Sequence, residues 1–154
     1  MATVDIDQSL KLVKIDMKDA HAYADVVAVR SVLLSGLAEE HKPVLHAEDE
    51  VCDIYALYDA GEAVGTARVH PTDEGLKLER IAVVSHLQGK GIGKSLMAMV
   101  IIKYAHEGKL VYLYSQTHAS PFYIKCGFQT VGDEFMQAGI KHIKMVYSQT
   151  PAAN

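Results

Sequence analysis

The sequence predicts a mixed α/β fold, a central sheet with helices packed on its faces, in a single domain over residues 1–154. Three observations predict it. Short apolar runs bounded by glycine, proline and acidic residues recur along the chain and read as strands. Two longer stretches repeat their apolar residues at helical spacing. No internal repeat or low-complexity linker divides the chain, and 49% apolar residues suffice for one buried core.

The elements follow in order. Leu10 to Ile15 alternates apolar and polar residues, a short strand within 9–16. Asp16 to Asp19 offers helix-starting side chains. Val26, Val27, Val29, Val32, Leu33 and Leu37 then recur at helical spacing, so 18–38 is expected to be helix. Glu39 to Glu50 is polar, holds Pro43, and is expected to be loop with one helical turn. Cys52 to Tyr58 and Ala63 to His70 read as strands joined by the Ala60-Gly61 turn. Pro71 to Gly75 turns again into a strand over Leu76 to Val84. A glycine-rich turn opens a helix over about 91–107, with Leu96, Val100, Ile101 and Tyr104 on its buried face and Gly108 just past its end. Leu110 to Ser115 is a buried strand and Thr117 to Lys125 a short helix closed by Gly127. Phe128 to Val131 and Lys141 to Tyr147 are the last strands. The two variable loops are thus 39–50 and 132–140.

The strand-to-helix turn carries the chemistry. Ile81-Ala82-Val83 leads through Gln88-Gly89-Lys90-Gly91-Ile92-Gly93-Lys94-Ser95 into a helix. Glycines let backbone approach a phosphate, and the free N–H groups and dipole of the first helical turn favour an anion. A diphosphate-bearing ligand suits such a turn. Gly93-Lys94-Ser95 invites a P-loop reading, but the glycine that motif needs five positions earlier is Gln88. Gly91 and Gly93 begin a dinucleotide fingerprint, but its third glycine is Leu96. The frame that fits is Gln-x-x-Gly-x-Gly at Gln88, Gly91 and Gly93.

That frame resembles the acetyl-CoA motif of the GNAT N-acetyltransferase family. A second segment joins it: Ala119, Tyr123, Gly127 and Phe128 match that family's Asn-x-x-Ala-x-x-x-Tyr-x-x-x-Gly-Phe pattern, with Gln116 where asparagine is usual. The resemblance covers roughly 50–147. Gln116, Phe122-Tyr123 and Gly139-Ile140-x-His142-x-x-Met145 resemble the small bacterial ElaA/YjcF-type branch. The resemblance implies a mostly antiparallel sheet with helices on both faces and acetyl-CoA as co-substrate. It implies a cofactor arm slotted between Ile81-Ala82-Val83 and Leu113-Tyr114-Ser115 and paired with exposed backbone. The diphosphate would lie on the amides of Gln88 to Ser95, with Lys90 and Lys94 adding charge and Gln116 and Phe122 beside the arm.

The expected reaction is attack of a primary amine on the thioester. The Val83 amide is the candidate oxyanion donor. Tyr123 is the candidate acid for the departing thiolate, because a phenol and a thiol have similar pKa values. Glu79, two residues before Ile81 and so expected on the same strand face, is the candidate base, with His70, His142 or water as rivals. His118 is expected to be exposed. Arg68 and Arg80 either bind an acidic acceptor or pair with carboxylates. Glu39, Glu40, Glu48, Asp49 and Glu50 make the first loop acidic, which favours a cationic amine. The acceptor is expected to be a small molecule or peptide. The competing readings are a CoA-binding module without turnover and a P-loop-like nucleotide binder.

A net charge of −4 and a pI near 6.0 argue against a nucleic-acid surface. No run of 18 apolar residues predicts a membrane span, and the first residues lack a secretory pattern, so a cytoplasmic protein is expected. Cys52 and Cys126 alone make no disulfide framework and no zinc site. Members of the resembled family are often dimers, which extends the expectation to a homodimer.

Overall fold

The computed structural model describes residues 9–148. The elements are β1 (Leu10–Ile15), α1 (Ala20–Arg30), β2 (Asp53–Asp59), β3 (Glu62–Pro71), β4 (Leu76–Val83), α2 (Ile92–Tyr104), β5 (Val111–Gln116), α3 (Ser120–Lys125), β6 (Phe128–Gln137) and β7 (Ile140–Tyr147). The strands form one sheet in the order β1-β2-β3-β4-β5-β7-β6. Every neighbouring pair is antiparallel except β4 with β5. Helices cover both faces, as the sequence led one to expect. Among the described residues, no helix is long and apolar enough to cross a membrane.

On one face α2 lays Leu96, Met97 and Val100, all fully buried, against Tyr55, Leu57, Ala67, Val69, Leu78, Leu113 and Met145. Burying each such aliphatic side chain stabilises the fold by roughly 1.5–3 kcal/mol. On the other face Val26 of α1 packs on Ile15, Ile54 and Ala56. Asp19 caps α1 by accepting from the Ala22 amide at 3.2 Å.

Three boundaries differ from the sequence reading. Helix α1 stops at Arg30, and Ser31–Gly36 continues as a tighter 3₁₀ turn. The stretch there holds Ser31, Val32, Ser35 and Gly36, all weaker helix formers than Ala or Leu. Ser31 and Ser35 also return their hydroxyls to the Ala28 and Val32 carbonyls, which competes with regular helix. The segment expected to be loop is largely 3₁₀, over Glu39–His46 and Asp49–Val51. Strand β6 runs on to Gln137 instead of ending at Val131. Its Gly132-Asp133-Glu134, which read as turn residues, form an irregularity where the register to β7 shifts between Val131 and Phe135. The true turn is Ala138-Gly139, both at positive φ, a two-residue hairpin loop.

Candidate active site

Strands β4 and β5 pair only at Leu76 with Val111 and Lys77 with Tyr112. Beyond those residues β5 pairs with β7 on its other side, and β4 keeps only β3. The sheet therefore opens between Ile81-Ala82-Val83 and Leu113-Tyr114-Ser115, where the sequence reading put a gap. The direction of the backbone groups follows from one bond. Val84 donates its amide to the Val64 carbonyl at 3.0 Å. Directly opposite residues in an antiparallel pair alternate between bonded and non-bonded. Val83, opposite Gly65, therefore turns its N–H and C=O away from β3 and into the opening. The same alternation turns those of Ile81 that way, while Ala82 faces Thr66.

The glycine turn lies at the mouth of this opening. Gln88 reaches back and donates Nε2 to the Val83 carbonyl at 3.0 Å, which ties the turn to the strand. Gly89 (φ +79) and Gly91 (φ +86) hold left-handed backbone, and Gly91 is the N-cap of α2. A Cβ on either would meet nothing within 4 Å, so the turn presents bare backbone to open space. Ile92, Gly93, Lys94 and Ser95 form the first turn of α2, whose leading amides lack partners inside the helix. Ser95 closes the turn by donating to the Gly91 carbonyl at 3.1 Å. Gly93 packs closely on Phe122: a Cβ there would lie 3.1 Å from the ring's Cζ, which would have to give way. Lys90 lies within the exposed turn.

The far wall is the end of β5 and α3. Gln116 stands beside His142 of β7, and its side chain has no partner among the described residues. The next residue, Thr117, has a buried Oγ1 without a hydrogen-bond partner, a group the sequence reading did not single out. Tyr123 packs on the main core between Phe122 (5.0 Å between ring centroids) and Phe128 (6.2 Å). Its hydroxyl has no partner among the described residues. Burial, and then the neighbouring Cys126, push this phenol far above its usual pKa, so it stays protonated.

The opposite face of the sheet holds a polar cluster. Glu79 accepts from Arg68 at 2.9 and 3.1 Å, meets Lys77 at 3.1 Å and lies 3.1 Å from His70 Nδ1. Burial would raise its pKa, but Lys77 and Arg68 outweigh burial and hold the carboxyl below its usual range. Arg68 also bonds Asp49 at 2.8 Å and the Ala47 carbonyl at 2.6 Å. Asp49 takes two further bonds from Arg30, at 2.7 and 3.1 Å, and one from the Tyr23 hydroxyl. Arg80 (φ +53) makes a bulge in β4 at the register shift against β3. The bulge corrects one expectation: Ile81 joins Leu76 and Leu78 against the α2 core, so Glu79 and Ile81 lie on opposite faces. His142 stacks on Phe135 at 6.0 Å and its Nδ1 is 2.8 Å from the Ile140 carbonyl, a held position. His118 is exposed.

Two further readings change. Asp49 is buried between two arginines and Glu39 pairs with Lys42, so the acidic loop presents less free negative charge than its sequence suggests. Cys52, His70 and Glu79 bring ligating atoms within 4.8 Å of one another. Arg68 and Lys77 already occupy both Glu79 oxygens, and burial raises the Cys52 thiol to about 11; both disfavour a metal there. An open pocket of about 320 Å³, lined by Tyr114, Val131, Phe135 and Lys144, lies on this face.

Residues 37–149 match the family model described as an acetyltransferase (GNAT) domain. The uncharacterised N-acetyltransferase YjcF of Bacillus subtilis is 33% identical over 84% of this chain and 91% of its own length. The Bacillus subtilis protein YyaT is 34% identical over 62% of this chain, and the match spans 66% of YyaT's own length. The crystal structure of Escherichia coli ElaA superposes with a TM-score of 0.73 at 22% identity, covering 90% of this chain and 99% of that one. A Bacillus subtilis acetyltransferase solved in complex with CoA superposes with a TM-score of 0.65 at 20% identity, covering 90% and 97%.

Proposed function

Because the chain belongs to the GNAT acetyltransferase family, we propose that it transfers an acetyl group from acetyl-CoA to a primary amine of a small molecule or peptide. Attack is direct, within a ternary complex. The observation that carries this reading is the opened β4–β5 edge beside a bare glycine turn. The residues fit the group. The Ile81 and Val83 backbone offers an unpaired edge to the pantetheine arm, as an added strand would need. The amides from Gln88 to Ser95 suit the diphosphate, with Lys90 and Lys94 near it. Gln116 and Phe122 suit the other wall, beside the buried and unpartnered Thr117 hydroxyl. The CoA-bound relative supports the same assignment.

Bound acetyl-CoA supplies the thioester. The Val83 N–H, pointing into the opening, stabilises the oxyanion formed on its carbonyl. Tyr123, kept neutral by burial, donates a hydrogen bond to the departing thiolate, which takes its proton from solvent, because the raised phenol no longer matches a thiol in acidity. The ammonium proton leaves to water: Glu79 stays ionised, but Arg68, Lys77 and His70 hold its oxygens and the lowered pKa makes it a weak base.

Transfer of isotopically labelled acetyl groups to an amine panel tests this. Tyr123→Phe is expected to lower kcat by about 10²–10⁴-fold, with KM for acetyl-CoA within about threefold. Undiminished transfer by Tyr123→Phe would remove the role of its hydroxyl at the leaving thiolate. Wild-type protein that binds acetyl-CoA but never transfers it would favour a CoA-binding module.

A further inference from the structure

Two arginines on adjacent strands face the same side of the sheet and meet different fates. Arg68 ends between two carboxylates, Asp49 and Glu79. Arg80 ends on neutral oxygens: Nε donates to the Leu45 carbonyl at 2.7 Å and Nη2 to the Val44 carbonyl at 3.3 Å. Among the described residues its Nη1 has no partner and no carboxylate pairs with it. The nearby acids are already engaged. Asp49 is held by Arg30, Arg68 and Tyr23, and Glu79 by Arg68, Lys77 and His70. Glu48, exposed at the rim, approaches His70 rather than Arg80. The cluster thus holds more fixed cations than carboxylates, in a chain whose net charge is −4. Burial, and then Arg68, destabilise the Arg80 guanidinium, which an incoming anion would relieve.

Position gives this unpaired cation a use. Arg80 forms the β4 bulge and immediately precedes Ile81, the first residue of the edge that faces the opening. Its guanidinium lies under Val44 and Leu45, in the segment between α1 and β2. A planar guanidinium with a free Nη1 is suited to a carboxylate or phosphate oxygen.

We propose that Arg80 recognises an oxyanion, a carboxylate or a phosphate, on the amine acceptor, so that the acceptor carries a negative group as well as its amine. The alternative role is a clamp that only holds the 44–45 backbone. The inference rests on the acetyl-transfer reading, and the test separates the two.

Matched probes serve: β-alanine, γ-aminobutyrate and phenylalanine, each with its carboxamide, and phosphoethanolamine with ethanolamine. Acetyl transfer is measured for each pair, together with thermal stabilisation of the CoA-loaded protein. The expected result is at least a tenfold higher kcat/KM for the anionic member of one or more pairs. Arg80→Met should collapse that ratio to within about twofold, and Arg80→Lys should restore part of it. The carboxylate and phosphate pairs distinguish the two sources of the anion. Three results would overturn the proposal: no preference in any pair, no binding of any anionic probe at 10 mM, or equal losses on both members in Arg80→Met. The wild-type comparison stands even if a variant fails to fold. If acetyl-CoA itself does not bind, the transfer reading falls; if it binds and the pairs do not differ, only the Arg80 assignment falls.

Discussion

Asp49 shows how much one side chain can hold. It is 1% exposed and takes hydrogen bonds from Arg30, Arg68 and Tyr23. Burial would raise its pKa, but those donors outweigh burial and lower it. A carboxylate depressed in the fold contributes stability above its unfolded pKa, and loses that contribution as pH falls through the folded value. Asp49→Asn keeps the shape but strands the buried Arg30 guanidinium and removes one of the two carboxylates on Arg68, so urea unfolding at pH 7 should show a loss of about 3–5 kcal/mol. The difference between the two proteins should begin to shrink below about pH 4, where the carboxylate protonates in the unfolded chain, and should vanish as pH falls through the lower folded value. None of this was legible in the sequence, where Asp49 read as one of five surface acids. Its arginine partners lie 19 residues away in both directions, and only the fold brings them in. Glu79 was misplaced for a different reason. Strict alternation puts it on the Ile81 face, and a positive φ at an arginine gives no sequence warning of the bulge that reverses it.

At the scale of elements, the turn from β4 into α2 was the most legible part of the chain. Glycine spacing is a backbone property, and Gly89 and Gly91 adopt the left-handed conformations for which glycine is suited. Gly91→Val should therefore act locally. Forcing a β-branched residue into φ +86 costs roughly 1–2 kcal/mol of stability. The added side chain would also fill the space proposed for the diphosphate. The dissociation constant for acetyl-CoA, by calorimetry, should rise at least tenfold. Unchanged affinity would mean the turn does not contact the diphosphate. The segment between α1 and β2 was the least legible element. Its 3₁₀ turns have no strong periodicity, and its position is set by long-range bonds from Arg30, Arg68 and Arg80 to residues 44–49. The end of β6 was missed because Gly132-Asp133-Glu134 have the composition of a loop yet sit in a strand irregularity.

For the whole molecule, the order of strands and helices could be read from apolar periodicity, because each element buries one face on a single sheet. An alkaline limit is expected from two half-buried phenols, Tyr23 and Tyr58. Burial raises Tyr23 and Tyr58 to about 12, helped by bonds to Asp49 and Asp25. A phenol raised in the fold contributes stability fully below its unfolded pKa near 10 and loses it as pH rises toward 12. Urea midpoints should thus fall between pH 10 and 12, and Tyr58→Phe should flatten part of that slope. The central claim is that the opening between β4 and β5 holds acetyl-CoA, and thermal unfolding with acetyl-CoA, CoA and ATP in parallel tests it most directly. At 100 times its Kd a ligand adds about 2.7 kcal/mol, or roughly 5–10 °C for a chain of this size. A shift of that order with acetyl-CoA and CoA, and none with ATP, is the predicted result. No shift with acetyl-CoA at millimolar concentration would contradict the account and leave the glycine turn as architecture alone.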